Sequence, residues 1–194
     1  GLGDVYKRQV RVHPIITKGG DLVNSVPADV RIETYVRAKT MEAIEATHKK
    51  VDTALKAGGD AVGAQTVIAT MPGQLPLACN NRLNELFVAN AKIAEPNVAV
   101  KDAGHFSAST DMGDVSHLLP VIHPFIGGVD GFLHTADFHV VDFKHAVLLP
   151  AKAFAMMIID LLADDAELAR QIKAEHHPLL TKEEYIAKLD KYFQ

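Results

Sequence analysis

The chain has 194 residues, of which 48% are hydrophobic and 23% are charged, a composition that is ordinary for a soluble globular protein. Its formal net charge of −4 offers no basic surface for nucleic acid or for an anionic membrane, so we expect neither partner. The single cysteine, Cys79, excludes an internal disulfide and a cysteine-cluster zinc site. Ten histidines hint at metal binding, although most histidines in any protein are polar surface or satisfied core.

Residues 1–9 fit no element that follows them and resemble a translated cloning scar, so we leave them out of the fold prediction. The longest apolar stretch, at 146–163, is interrupted by Pro150, Lys152 and Asp160, and so falls short of the ~18 apolar residues of a membrane span. We therefore expect a cytoplasmic protein.

Residues 10–74 predict a small domain of strands and one helix. Apolar and polar residues alternate at 10–17 and again at 28–37, which is typical of strands with one apolar face. Thr40 can cap a helix that ends at Gly58 and Gly59, and residues 61–70 predict a third strand. This order favours an open-faced αβ sandwich, with an antiparallel sheet and a helix on one face.

A change of character follows the segment 72–79, whose two prolines and one glycine predict a linker. Residues 75–194 predict a second α/β unit. Its elements are an amphipathic helix at 81–94, a short strand at 97–101, a turn-rich stretch at 104–131, an apolar helix at 146–163 buried on several sides, and amphipathic helices at 166–175 and 182–192.

A first motif, GGDLVNSVPADVRIETYVR at 19–37, has a glycine pair, then Asn-x-Val-Pro, then a strand that ends in arginine. It resembles the lid-domain signature of the dinuclear-metal amidohydrolases and metallopeptidases, the family of aminoacylase, carboxypeptidase and p-aminobenzoyl-glutamate hydrolase. The resemblance implies that Asn24 and Arg37 hold the carboxylate of the substrate's amino-acid part. A guanidinium can bind a carboxylate through two parallel hydrogen bonds. The alternative is a turn asparagine and a surface arginine.

A second motif, STDMGDVSHLLPVIHPFIGG at 109–128, resembles the p-aminobenzoyl-glutamate hydrolase branch, in which this loop lines the active-site wall. The resemblance makes Asp111, Asp114 and His123 candidate site residues. Two carboxylates three residues apart suit a metal loop or an acid and base pair. They equally suit an Asx-turn cluster in a connection, and the sequence leaves both interpretations open.

A third motif, GFLHTADFH at 131–139, matches the family pattern His-(Ser/Thr)-x-x-Phe. The resemblance implies that His134 is the last protein ligand of a site for two divalent ions, zinc or manganese. Such a centre needs several protein ligands, and no other histidine has a recognisable ligand spacing with His134.

The three motifs together imply the C-terminal part of such an enzyme, namely the lid and dimerisation domain followed by part of the catalytic domain. The other metal ligands and the general-base glutamate are expected upstream. His13 is either a substitute for a lid histidine or an ordinary surface residue. In the intact enzyme we expect hydrolysis of an amide bond in an N-acyl or N-aroyl amino acid or a dipeptide-like substrate, by a homodimer that pairs through its lid. The alternatives are an amino-acid-binding module and a domain kept only for dimerisation.

Overall fold

The computed structural model describes residues 10–102, 104 and 109–192. The scar predicted at 1–9 therefore lies outside the described residues. The chain divides into two compact units, the first of which contains the residues up to Pro76. The second comprises Leu77–Gly104 and Thr110–Asp190.

The first unit has the predicted antiparallel strand pair, β1 (Arg11–Lys18) and β2 (Arg31–Arg37), followed by helix α1 (Met41–Ala61). Its register places Val12 opposite Val36 and Ile16 opposite Ile32, so the apolar residues share one face as the alternation predicted. The Thr40 hydroxyl accepts a hydrogen bond from the Ala43 N–H at 3.3 Å and caps α1. The mixed α/β class with a small antiparallel sheet is thus confirmed.

The predicted third strand at 61–70 is wrong. Helix α1 runs on to Ala61, and residues 64–80 form neither helix nor strand. The helix continues through Gly58 and Gly59 because its end needs a left-handed residue, and Gly63 supplies this with φ +68°. The predicted end at Gly58 and Gly59 is therefore too early, because neither of these glycines has the left-handed conformation.

The second unit is mostly helical. In chain order its elements are α2 (Asn81–Ala94), α3 (Met112–Ser116), β3 (Val129–Asp130), β4 (His139–Val140), a π-helical turn (Lys144–Leu148), α4 (Leu149–Glu175) and α5 (Lys182–Asp190). Helix α2 has the predicted bounds, because the Asn80 side chain caps it by accepting from the Leu83 N–H at 3.1 Å. The strand predicted at 97–101 is wrong, since these residues carry no strand.

The core of this unit lies between α2 and α4. Buried side chains of α2 pack against buried side chains of α4: Leu83, Phe87 and Ala91 against Ala153, Met157 and Ile172. The backbone of Ala163–Ala166 leaves the helical region, so α4 is two helical pieces joined by a kink. The sequence predicted two helices that meet at this point.

The outward face of α4 corrects another expectation. The apolar helix was expected to be buried on several sides, but Ile158, Ile159 and Leu162 are 55%, 67% and 63% exposed. The buried side chains Ala153, Met157 and Ile172 of this helix pack against α2, whereas the three exposed side chains lie outside that cluster. By length and composition alone, the run Lys144–Glu175 could cross a membrane, a property it shares with core helices of soluble proteins.

Candidate functional site

A pair of arginines faces each other at the end of the two-stranded sheet. Arg37 is the last residue of β2 and lies directly opposite Arg11, the first residue of β1. Residues directly opposite in an antiparallel pair project from the same face, about 5 Å apart at Cβ. The next pair on this face is His13 opposite Tyr35. Two guanidinium groups and an imidazole therefore lie at one corner of the sheet.

The Arg37 guanidinium lacks an acidic partner among the described residues. It lies over the Tyr35 ring, 5.3 Å from the centroid, which is a cation–π contact. Its Nε–H is enclosed and finds no hydrogen-bond acceptor in the part of the chain that the structure describes. A buried polar group left without a partner costs about 1–3 kcal/mol. Such an arginine is suited to an anionic ligand that completes its hydrogen bonds.

Arg31, on the same face of β2, shows the contrasting situation. Its guanidinium pairs with Asp29 at 2.9 Å, and Asp29 also pairs with Lys18 at 3.4 Å. The side-chain hydrogen bond from Arg31 lowers the pKa of Asp29. Among the described residues of the first unit, Arg31 is thus neutralised by a carboxylate, whereas Arg11 and Arg37 have no carboxylate partner.

Asn24 lies in the connection between the two strands. It sits in the turn closed by the hydrogen bond from the Ser25 N–H to the Leu22 carbonyl at 3.3 Å, and it is exposed. Within the described residues no hydrogen bond joins Asn24 to Arg37. The structure therefore shows both candidates in the first unit but does not bring them into contact.

His134 lies at the tip of the hairpin formed by β3 and β4. It is exposed and has φ +67°, in the left-handed region that non-glycine residues seldom occupy. The turn beneath it is held by the Thr135 hydroxyl, which donates to the Phe132 carbonyl at 2.6 Å. Strained residues of this kind cluster at functional sites, although the conformation alone does not assign a role.

The base of this hairpin depends on Gly131, which gives a testable prediction. Gly131 has φ +87°, and a Cβ there would lie 2.5 Å from the Asp137 carbonyl oxygen. We expect Gly131→Ala to cost about 1–3 kcal/mol and to speed amide hydrogen exchange at Val141, next to the hairpin. Gly127→Ala is the matched control, because a Cβ at Gly127 meets nothing within 4 Å. Equal exchange in the two variants would contradict the backbone described for the loop that carries His134.

The candidates of the second motif make local contacts. The Asp111 carboxylate accepts from the Met112 N–H at 3.0 Å, which is a local contact with the next residue at the start of α3. The Asp114 carboxylate accepts from the Tyr185 hydroxyl at 3.2 Å, and burial raises the pKa of that phenol. The His123 Nδ1 is enclosed without a hydrogen-bond partner.

A further histidine near the hairpin has a carboxylate partner. The His145 Nδ1 lies 2.6 Å from the Asp142 carboxylate, and this hydrogen bond lowers the pKa of Asp142. A carboxylate on one ring nitrogen is how proteins often orient a metal-binding histidine. In the described part of the chain, His145 belongs to no group of three or more histidine, cysteine, aspartate or glutamate side chains that could hold a metal ion.

The described residues do not by themselves make up a centre for two metal ions. No group of three or more histidine, cysteine, aspartate or glutamate side chains among them could hold one ion. His134, Asp111 and His123 therefore do not form such a group. A zinc or manganese centre requires three or four protein ligands, so the described residues do not by themselves supply a complete set.

Sequence reasoning did not select Arg11. Its alternation with Val10 and Val12 placed it on the same face as His13, which was the only available signal. What makes it a candidate is the cross-strand register that sets it opposite Arg37, and register depends on pairing between distant segments.

Comparisons with known proteins were made for the whole chain. No protein-family model matches it. It is 31% identical over 166 residues to the Xaa-Arg dipeptidase of Mus musculus, covering 81% of this chain and 38% of the relative. It is 26% identical over 194 residues to the Xaa-Arg dipeptidase of Homo sapiens, covering 94% of this chain and 44% of the relative.

The chain thus spans less than half the length of these curated relatives. The similarity extends over most of the chain and includes a region far longer than any one of the three motifs. It does not separate the aminoacylase, carboxypeptidase and p-aminobenzoyl-glutamate hydrolase branches. At this coarser level, the chain is similar to dipeptidases.

Proposed function

We propose that the chain is the C-terminal part of a metal-dependent hydrolase that cleaves an amide bond in a dipeptide-like or N-acyl amino-acid substrate. The observation that carries the proposal is Arg37, a strand-end arginine without an acidic partner, in a chain related to Xaa-Arg dipeptidases. Every dipeptide and every N-acyl amino acid has a carboxylate next to the bond to be cleaved. An arginine that lacks an acceptor is suited to that shared group.

The proposed roles divide between binding and chemistry. Arg37, with Asn24 from the preceding connection, binds the carboxylate and fixes the orientation of the amide bond. His134 would contribute one ligand to a centre of two divalent ions, zinc or manganese, whose Lewis acidity would activate a water molecule. The other ligands and the general base come from the part of the relatives' length that this chain does not span. His13, on the face of Arg37, is a weaker binding candidate, as are Asp111 and His123.

The proposed partners follow from the same proposal. We propose a homodimer that forms through the first unit, because within the described residues no strand pairs with the outer edges of β1 and β2. Unpaired edges are surfaces on which a second copy can add its own strand. A cytoplasmic location without nucleic-acid or membrane partners remains our expectation.

A binding module without catalysis is the second candidate. It is favoured by the position of Arg11 and Arg37, the two arginines at the corner of the sheet, which both lie in the first unit. The described residues contain no group of three or more side chains that could hold a metal ion. Such a module would bind amino acids or their derivatives through Arg37 and release them unchanged. Turnover of substrate is the measurement that separates the two candidates.

The test compares this chain with a longer polypeptide that also contains the region of the relatives that this chain does not span. We expect the 194-residue chain to hydrolyse neither a dipeptide with C-terminal arginine nor an N-acetyl amino acid, in the presence of Zn²⁺ or Mn²⁺. The longer polypeptide is expected to hydrolyse at least one of them and to lose activity on treatment with a chelator. Metal-dependent turnover by the chain alone would contradict the site assignment, and an inactive longer polypeptide that still binds amino acids would favour the binding module.

A further inference from the structure

We propose that Arg11 is a second carboxylate-binding residue, which acts together with Arg37 on the same carboxylate at the corner of the β1–β2 sheet. The proposal rests on the proposed function insofar as Arg37 binds the substrate's carboxylate. It extends that function to a residue on the other strand. It also explains why two arginines occupy one cross-strand pair.

The register of the two strands brings the two arginines together. Arg11 and Arg37 are directly opposite, so their side chains leave the same face of the sheet at neighbouring positions. Like charges in this arrangement destabilise a strand pair. Neither residue has an ion pair or hydrogen bond from its guanidinium to an acid within the described residues. The unliganded sheet therefore keeps an unfavourable pair that a bound anion would turn into a favourable one.

The acidic residues described near this face, Glu33 and Asp29, do not neutralise the two arginines. Glu33 lies opposite Ile15, four residues along β2 from Arg37, which corresponds to about 13 Å of extended strand. Asp29 is already engaged by Arg31 and Lys18. Among the described residues, no carboxylate is paired with the arginines at this corner, so a bound ligand is the source of the neutralising anion that we propose.

A carboxylate is the anion that suits two neighbouring guanidinium groups. Two guanidinium groups on neighbouring strands can each donate to one oxygen of a carboxylate, and Tyr35 holds Arg37 in place through its ring. The neighbouring His13 adds a further ring nitrogen at the edge of the corner. Inorganic phosphate shares the anionic chemistry, so the experiment must separate the two classes of anion.

The test uses the 194-residue chain with ¹⁵N-labelled arginine and follows the Nε–Hε signals by NMR during titration with N-acetylglycine. Signals of Arg11 and Arg37 are expected to shift with one common affinity, and that of Arg31 to stay in place. N-acetylglycinamide, which lacks the carboxylate, is expected to shift none of them. Arg11→Gln is expected to weaken N-acetylglycine binding roughly tenfold. Arg31→Gln is the matched control on the same face and is expected to leave the affinity unchanged.

A stability measurement distinguishes a binding role from a structural one. Without ligand and at low salt, Arg11→Gln is expected to raise Tm by about 1–4 °C, because it removes a like-charge pair. The increase should largely disappear in 1 M NaCl, where the Debye length is about 3 Å. A structural arginine would instead lower Tm on replacement, and that result would overturn the proposal.

The remaining outcomes are equally decisive. If only Arg37 shifts, Arg11 is not part of the site, whereas the carboxylate role proposed for Arg37 stands. If phosphate binds more tightly than N-acetylglycine, the corner is not a carboxylate site. If neither arginine responds, the anion site fails for both residues. Hydrolysis by the longer polypeptide is judged by its own turnover and is independent of these results.

Discussion

Arg37→Ala in the longer polypeptide is expected to raise KM far more than it lowers kcat. The carboxylate that Arg37 binds is present in the substrate and in the transition state alike, so its loss removes binding common to both. A charge-assisted hydrogen bond contributes about 1.5–3 kcal/mol, which corresponds to roughly 10- to 100-fold in kcat/KM. Steady-state kinetics with a dipeptide substrate measures the effect.

Two further variants make this result specific. Arg37→Lys keeps the positive charge but loses the planar pair of donors, so we expect it to recover only part of the affinity. Arg31→Ala removes an arginine from the same face whose charge Asp29 already neutralises, and its KM is expected to stay within about twofold of the parent protein. An Arg37→Ala protein with unchanged KM and lower stability would show that this arginine is structural.

His134→Ala is expected to lower kcat and bound metal together in the longer polypeptide. Replacement of a residue that merely orients a metal ligand costs about 10- to 100-fold in metal affinity or activity, so loss of a ligand is expected to cost at least about 100-fold. The metal content of the purified protein, measured by atomic emission, and its kcat are the two readouts. A variant with full metal content and low activity would exclude His134 as a ligand.

The left-handed conformation of His134 calls for a variant that separates folding from metal binding. Alanine is disfavoured at φ +67°, whereas asparagine tolerates it, so His134→Asn is expected to keep the hairpin while removing the imidazole. His139→Ala is the matched control in the same hairpin, since the described contact of its ring is with the Asp137 carbonyl. We expect that variant to retain its metal content.

Local features of this protein followed from the sequence. Helix caps are set by one polar side chain and the few residues after it, so Thr40 marked the start of α1 correctly. The amphipathic pattern at 81–94 likewise predicted the bounds of α2. The alternation that predicted β1 and β2 is likewise a short-range property of the chain. The motifs that contain Asn24, Arg37 and His134 are also runs of contiguous residues, and the roles that the resemblance implies for these residues stay predictions.

Features that depend on distant segments were decided only by the tertiary structure. Helix α1 ends at Ala61 because the backbone becomes left-handed at Gly63 and not at Gly58 or Gly59. The helix therefore extends into the segment at 61–70 that was predicted to be a strand. The exposure of Ile158 on α4 depends on which element packs beside the helix. The pairing of Arg11 with Arg37 depends on strand register, which a shift of one residue would change. For this reason the sequence predicted a binding role for Arg37 alone, and Arg11 became a candidate only through its position opposite Arg37 in the paired strands.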